Sequence, residues 1–163
     1  MAHKELVISW LNDAYSMENA LIQILENHAK DAEGHPELQS RLQQHIETTR
    51  THADRVKGRI EALGSSTSSV KTGMANIFGT VQGMSTGAAK DELVKNALAD
   101  HAAEQFEVAS YTSLMAAAEE LGDPETTEVC RQNLREDADM GEWLLQHIPM
   151  VTLEVYRREA GSH

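Results

Sequence analysis

Proline occurs at only three places in this 163-residue chain, positions 36, 124 and 149, and each lies between segments whose apolar residues recur with a helical period. Proline removes a backbone donor and clashes with the preceding turn, so long stretches without it are free to form long helices. From about 4 to 32 the repeating face is Val7, Leu11, Ala14, Leu21, Ile22 and Leu25. "EGHPE" ends it, Gly34 suiting a helix end and Pro36 the first turn of the next helix. A second helix is predicted over 36–63, with Leu38, Leu42, Thr49, Val56, Ile60 and Leu63 inward, and Gly64 stops it. A third spans about 88–121. "GDPE" then sets a break, with Asp123 as N-cap and Pro124 at the first helical position. The fourth runs 124–147, up to Pro149, and the tail "MVTLEVYRREAGSH" has room for a short fifth helix.

Residues 64–87 are rich in Gly, Ser and Thr, with a short apolar segment around Val70 to Val81. They read as a long connection holding one or two helical turns. Tight connections after the first and third helices make antiparallel hairpins. A long link between the hairpins allows the chain to cross over along the bundle. The expected fold is therefore all-α: one domain over 1–163, a ferritin-like four-helix bundle with its crossover between helices 2 and 3.

Composition narrows the function. Aromatic residues make up only 4% of the chain, so the core must come from Leu, Ile, Val, Met and Ala. Cys130 is the sole cysteine, which excludes an internal disulfide framework and any Cys-rich zinc site. A formal net charge of −12 with no basic cluster argues against nucleic acid and against anionic lipid. No apolar run reaches the roughly 18 residues of a membrane span, and "MAHKELVISW" lacks a secretory core. A cytoplasmic protein is expected.

Acids nevertheless fall on faces that should be apolar. In "DHAAEQFEVASYTSLM", Val108, Tyr111 and Met115 form a stripe, and at about 100° per residue Glu104 lies within roughly 40° of all three. Glu107 lies on its shoulder. Glu18 sits near the centre of the first helix's stripe, and Asp137 among Cys130, Leu134, Gly141, Leu144 and Ile148. Glu136, about 100° from Asp137, points to water. On the second helix His52 marks the edge of the inward face with His45 on the same side, while Glu47 points away.

A lone ionised carboxylate in a core costs several kcal/mol or more unless it is neutralised or paired. The inward faces carry little Lys or Arg, so a shared cation is one solution. Inward Glu and His on facing helices suit iron, manganese or zinc. The plainer reading of any single acid is a crevice or bundle-end residue reaching water, and of either histidine a polar rim or hydrogen-bonded core group. His101 suits either an orienting contact to a carboxylate or plain packing, and Tyr111 and Met17, Met115 and Met140 read as core filling.

"AEQFEVASYTSLMAAAEELGD" is similar to a stretch reading Glu-His-Tyr-Glu-Ile-Ala, then Tyr, then Leu, and ending in Leu-Gly, of the ferritin-like bacterial stress proteins of YciE/YciF type, largely of unassigned function. "AYSMENAL", "HIETTRTHADRVKGRIEALG" and "NLREDADMGEWL" resemble further family segments, so the likeness runs from about Trp10 to Ile148. The resemblance implies a four-helix ferritin-like bundle with carboxylates disposed for a metal pair, and puts Glu18, Glu104, Glu107 and Asp137 at the family's acidic positions. The chain departs from that pattern at Thr48, where the family commonly has an acid. It also lacks the Glu-x-x-His pairs of di-iron bundles, offering Thr48 with Thr51 and Asp137 with Met140. Two expectations follow. One is a site for one or two ions of iron or manganese, zinc included, held by Glu18, His52, Glu104, Glu107 and Asp137 and linked to stress or oxidant protection. The other is a non-catalytic dimeric interaction bundle whose metal site has degenerated. A homodimer is expected in either case.

Overall fold

The computed structural model describes residues 2–67 and 90–161. The described residues form four helices: α1 (Ala2–Asp31), α2 (Pro36–Ala62), α3 (Glu92–Leu121) and α4 (Pro124–Ala160). Among the described residues there is no strand.

Side-chain contacts fix the topology. Asn96 bonds Asp31, His28 meets Asp100 and Tyr111 reaches Glu18, so α1 and α3 run antiparallel. His147 meets Glu37, His52 meets Glu136 and Arg59 binds Asp123, so α2 and α4 are antiparallel as well. Arg50 bonds Glu26, and Gln39 donates to the carbonyl of Ala29, so α1 and α2 are antiparallel too. It follows that α2 ends beside the α3–α4 turn, where Lys4, Arg59, Leu63 and Pro124 line one cleft, whereas α3 begins at the opposite end near Asp31. That is the end-to-end connectivity of the expected crossover bundle. The expected crossover, 64–87, lies almost wholly outside the described residues, as do the first residues of the helix expected from 88.

The α3–α4 turn follows its sequence closely. Gly122 takes the left-handed conformation at φ 72°, which an L side chain disfavours, and lets Asp123 N–H reach the carbonyl of Ala118 at 2.9 Å. Asp123 then caps α4 by accepting from the Thr126 N–H at 3.0 Å, and Pro124 occupies the first turn, where its missing donor costs nothing.

One expectation fails at Pro149. No separate C-terminal helix forms among the described residues; α4 continues unbroken from Pro124 to Ala160. The physical reason is placement. Pro149 and Leu145, four residues earlier, both lie on the exposed face. The Leu145 carbonyl that loses its partner therefore faces solvent rather than core.

The core is aliphatic as its composition demands: Val7, Leu11, Leu21, Leu25, Leu42, Val56, Ile60, Leu114 and Leu144 are buried together with Met17 and Met140. Burial of each such side chain contributes about 1.5–3 kcal/mol. The sulfur-containing pair fills space as expected, but Met115 is only partly buried. No described helix is long and apolar enough to cross a membrane.

Candidate metal centre

Six ionisable side chains converge inside the bundle, one or two from each helix. Glu18 comes from α1, His45 and His52 from α2, Glu104 and Glu107 from α3, and Asp137 from α4; all are buried. Two sets of three donors form within them. Ligand-capable atoms of Glu18, His52 and Asp137 lie within 4.8 Å of one another, and so do those of His45, Glu104 and Asp137. Asp137 belongs to both sets.

The first set is built around the His52 ring. Its Nδ1 lies 3.3 Å from Asp137 Oδ1 and 3.5 Å from Glu18 Oε1, while Nε2 points outward to Glu136 Oε2 at 2.6 Å. Tyr111 donates its hydroxyl proton to Glu18 Oε1, and Asn133 Nδ2 donates to the Tyr111 oxygen at 2.9 Å. In the second set His45 Nε2 and Glu104 Oε1 are 2.8 Å apart but lack hydrogen-bond geometry. The remaining atoms are more exceptional. Glu18 Oε2 and both oxygens of Glu104, Glu107 and Asp137 are buried with no hydrogen-bond partner. Leaving one buried acceptor unsatisfied costs about 1–3 kcal/mol, more if it is charged. Such a concentration of orphaned oxygens is compatible with a metal site.

The electrostatics agree. Burial raises Glu104 well above the ordinary carboxylate range, with Asp100 and Glu18 adding to it. Burial does the same to Glu107, reinforced by Asp137 and Glu18. Burial lifts Asp137 to about 7, against the lowering effect of the His52 ring beside it. His45 is driven down to about 4, chiefly by burial, which leaves a neutral imidazole. Burial also works against a charged His52, but the adjoining carboxylates of Asp137 and Glu18 outweigh it and raise the ring to about 10. The metal-free cluster thus takes up protons to limit its own negative charge.

Donor chemistry fits a transition-metal pair. Two-metal sites in ferritin-like bundles use four carboxylates and two histidines. That inventory is present here in another arrangement, with both histidines contributed by α2, seven residues apart on one face. Thr48 is half-buried and tied to the Gln44 carbonyl at 3.3 Å. It lines a polar cleft of about 300 Å³ between α2 and α4, together with Arg41, His45, Thr51, Arg55 and Glu136. His45 is the floor of that cleft, so solvent approaches the cluster there.

All five residues expected as ligands are brought together, but several local readings need correction. Glu107 is central rather than on the shoulder, because the buried face of α3 runs through Asp100, Glu104, Glu107, Tyr111, Leu114 and Ala118 and leaves Val108 half-buried. His52 is fully buried, not at an edge, and His45 belongs to the cluster rather than to a rim. Tyr111 is core but also holds Glu18. Glu136, read as pointing to water, folds back onto His52. His101 does not orient Glu104; its Nδ1 bonds the Gly141 carbonyl at 2.9 Å. The absent side chain of Gly141 matters here too, since a Cβ would stand 3.3 Å from Glu104 Cβ and 2.8 Å from Gln105 Nε2. Glycine lets α4 approach α3 at the level of the site.

Comparisons with known proteins bear on the family and the fold. Residues 2–156 match the family described as Domain of unknown function (DUF892). A structure of a protein from Xanthomonas campestris pv. campestris is similar at 30% identity and TM-score 0.84, covering 98% of this chain and 99% of that one. The Escherichia coli stress protein YciF is similar at 21% identity and TM-score 0.80, over 92% and 96% of the two chains. Desulfovibrio desulfuricans bacterioferritin, described with a diiron site, is similar at 20% identity and TM-score 0.77, over 96% and 88%. The last two likenesses speak to fold, and they place this bundle among ferritin-like ones.

Proposed function

This chain belongs to the DUF892 family, and from that premise we propose that its buried cluster binds one or two transition-metal ions, iron or manganese first and zinc also, in a role linked to stress or oxidant protection. The observation that carries the reading is the pair of three-donor sets sharing Asp137, whose buried oxygens have no other partner. Glu18 and His52 hold one position with Asp137, and His45 and Glu104 the other. Glu107, with both oxygens free among Glu18, Glu104 and Asp137, completes the set. Ionised, the four carboxylates carry four negative charges, which two divalent cations balance. Bound iron or manganese would supply redox chemistry toward oxygen or peroxide. The chain's own residues hold the ion, bury it away from bulk water, and keep Tyr111 bonded to Glu18.

A second reading has Thr48 in its favour: without an acid there, the bundle is a non-catalytic interaction module with a degenerate site. A homodimer is proposed under both readings. Leu145, Met150, Leu153 and Tyr156 leave an exposed apolar strip on α4 that self-association would cover.

Metal analysis separates the two. Protein purified without chelator is expected to carry iron, manganese or zinc by mass spectrometry, and Glu104→Gln to lose most of it. Wild-type occupancy below about 0.2 equivalents, with no rise in melting temperature on adding any of the three metals, would leave only the interaction module.

A further inference from the structure

Outside the donors runs a second set of contacts that no ligand list requires. Glu136 Oε2 accepts from His52 Nε2 at 2.6 Å and from Arg55 Nη1 at 2.9 Å. The same Arg55 Nη1 donates to Asn133 Oδ1 at 3.0 Å. Asn133 Nδ2 donates to the Tyr111 hydroxyl at 2.9 Å, and Tyr111 donates to Glu18. Glu18 Oε1 in turn lies 3.5 Å from His52 Nδ1. The contacts close on themselves. The ring Glu18, Tyr111, Asn133, Arg55, Glu136, His52 draws on all four helices and rejoins the site from both sides.

We infer that Glu136 and Arg55 are positioning residues: they set the orientation and tautomer of His52 from the bundle surface and, through Asn133 and Tyr111, the orientation of Glu18. The inference rests on the metal-binding reading above but makes its own claim. An imidazole offers two nitrogens, and whichever one is engaged by a carboxylate leaves the other for a metal. Glu136 occupies Nε2, so Nδ1 faces Glu18 and Asp137. A carboxylate on the far nitrogen also raises the basicity of the ligand. Arg55 fixes Glu136 with two contacts, the second from Nη2 to Oε1 at 3.3 Å, and aims the Asn133 carbonyl so that its amide must face Tyr111. Asn133, Tyr111, Glu18 and His52 are fully buried, whereas Glu136 keeps 38% of its side chain exposed. Packing alone gives no reason to turn a half-exposed carboxylate inward onto a buried ring. The bland alternative is an ion pair that merely staples α2 to α4.

The test compares wild type, Glu136→Ala, Glu136→Gln and Arg55→Met. Manganese and zinc affinity are measured by titration calorimetry, and the His52 ring nitrogens of the metal-free protein by ¹⁵N–¹H spectroscopy. Positioning predicts a 10–100-fold loss of affinity in Glu136→Ala and a smaller loss in Glu136→Gln, which keeps an acceptor. It also predicts a displaced Nε2–H resonance in Glu136→Ala and in Arg55→Met. A staple predicts lower unfolding stability with unchanged affinity and ring spectrum, and that result overturns the inference. If wild type binds neither metal and carries no iron, the function proposed above falls. The ring spectra then decide this inference separately, an unchanged His52 in Glu136→Ala overturning it.

Discussion

Replacing Glu107 by Gln is expected to raise the melting temperature of the metal-free protein while weakening metal binding. Both oxygens of Glu107 are buried without a partner, and Glu18, Glu104 and Asp137 surround it. A neutral amide of the same shape removes a carboxyl that must be either charged or held protonated in the core, and brings a donor toward those neighbouring carboxylates. A gain of about 1–3 kcal/mol at neutral pH corresponds to roughly 2–12 °C in a chain of this size. The sign with pH follows from proton linkage. Because burial holds the native pKa of Glu107 above its ordinary value of 4.5, the folded protein binds more protons than the unfolded chain. Stability is then fully present below 4.5 and is lost as pH rises through the native value. The benefit of Gln should therefore be small near pH 4 and grow toward pH 8. Melting curves of the metal-free protein across that range check it. A lower melting temperature at pH 8 would show that Glu107 is already satisfied, and would remove an argument for a cation.

The second large effect lies one end of the bundle away. His28→Leu should destabilise the protein by about 3–5 kcal/mol, because it leaves Asp100 buried without its partner. The pair spans α1 and α3 at 2.6 Å with 3% and 2% of the two side chains exposed. Burial depresses a charged His28, but Asp100 in contact, with Asp31 and Glu92 nearby, outweighs it and holds the ring above its ordinary 6.5. Burial raises Asp100, and His28 pulls it back. Both shifts run upward, so the native pair holds more protons than the unfolded chain. The stability due to His28 is fully present below pH 6.5 and is lost as pH rises through its native value. Denaturant unfolding should show the largest difference between wild type and His28→Leu near pH 6, narrowing in alkali. The double variant His28→Leu, Asp100→Leu should recover much of the loss, since removing both members of a buried pair is far milder than removing one. A single variant as stable as wild type at pH 6 would mean the pair contributes no net stability.

Much of this was legible in the sequence, for a reason that differs residue by residue. Glu18 and Asp137 sit on amphipathic helices whose apolar repeat points reliably at the core, so arithmetic on one helix placed them. α3 is harder. Its apolar residues go all round the helix, Leu98 being 45% exposed while Asp100, Glu104 and Glu107 are buried, so a stripe drawn through Val108 is rotated from the true interior face. Such a stripe puts Glu107 at its edge and gives no sign of Asp100. His28 carried a usable signal, lying three residues after Leu25 and seven after Leu21. Its partner, 72 residues away, did not, because one helix's periodicity says nothing of the height at which another meets it. Glu136 shows the same limit: its Cα faces outward, but its side chain is long enough to turn back to a histidine on α2. Pro149 shows the opposite error, a strong local breaker overridden by an exposed position.

The central claim is that Asp137 and its five buried neighbours exist to surround a cation. Anomalous X-ray scattering from crystals of the chain loaded with manganese or iron tests it most directly. The account predicts a peak bounded by Glu18, His52 and Asp137, by His45, Glu104 and Asp137, or one in each place, with Asp137 adjoining every peak. Full-strength soaks that leave the bundle interior without a peak, the carboxylates meeting only one another, would contradict it.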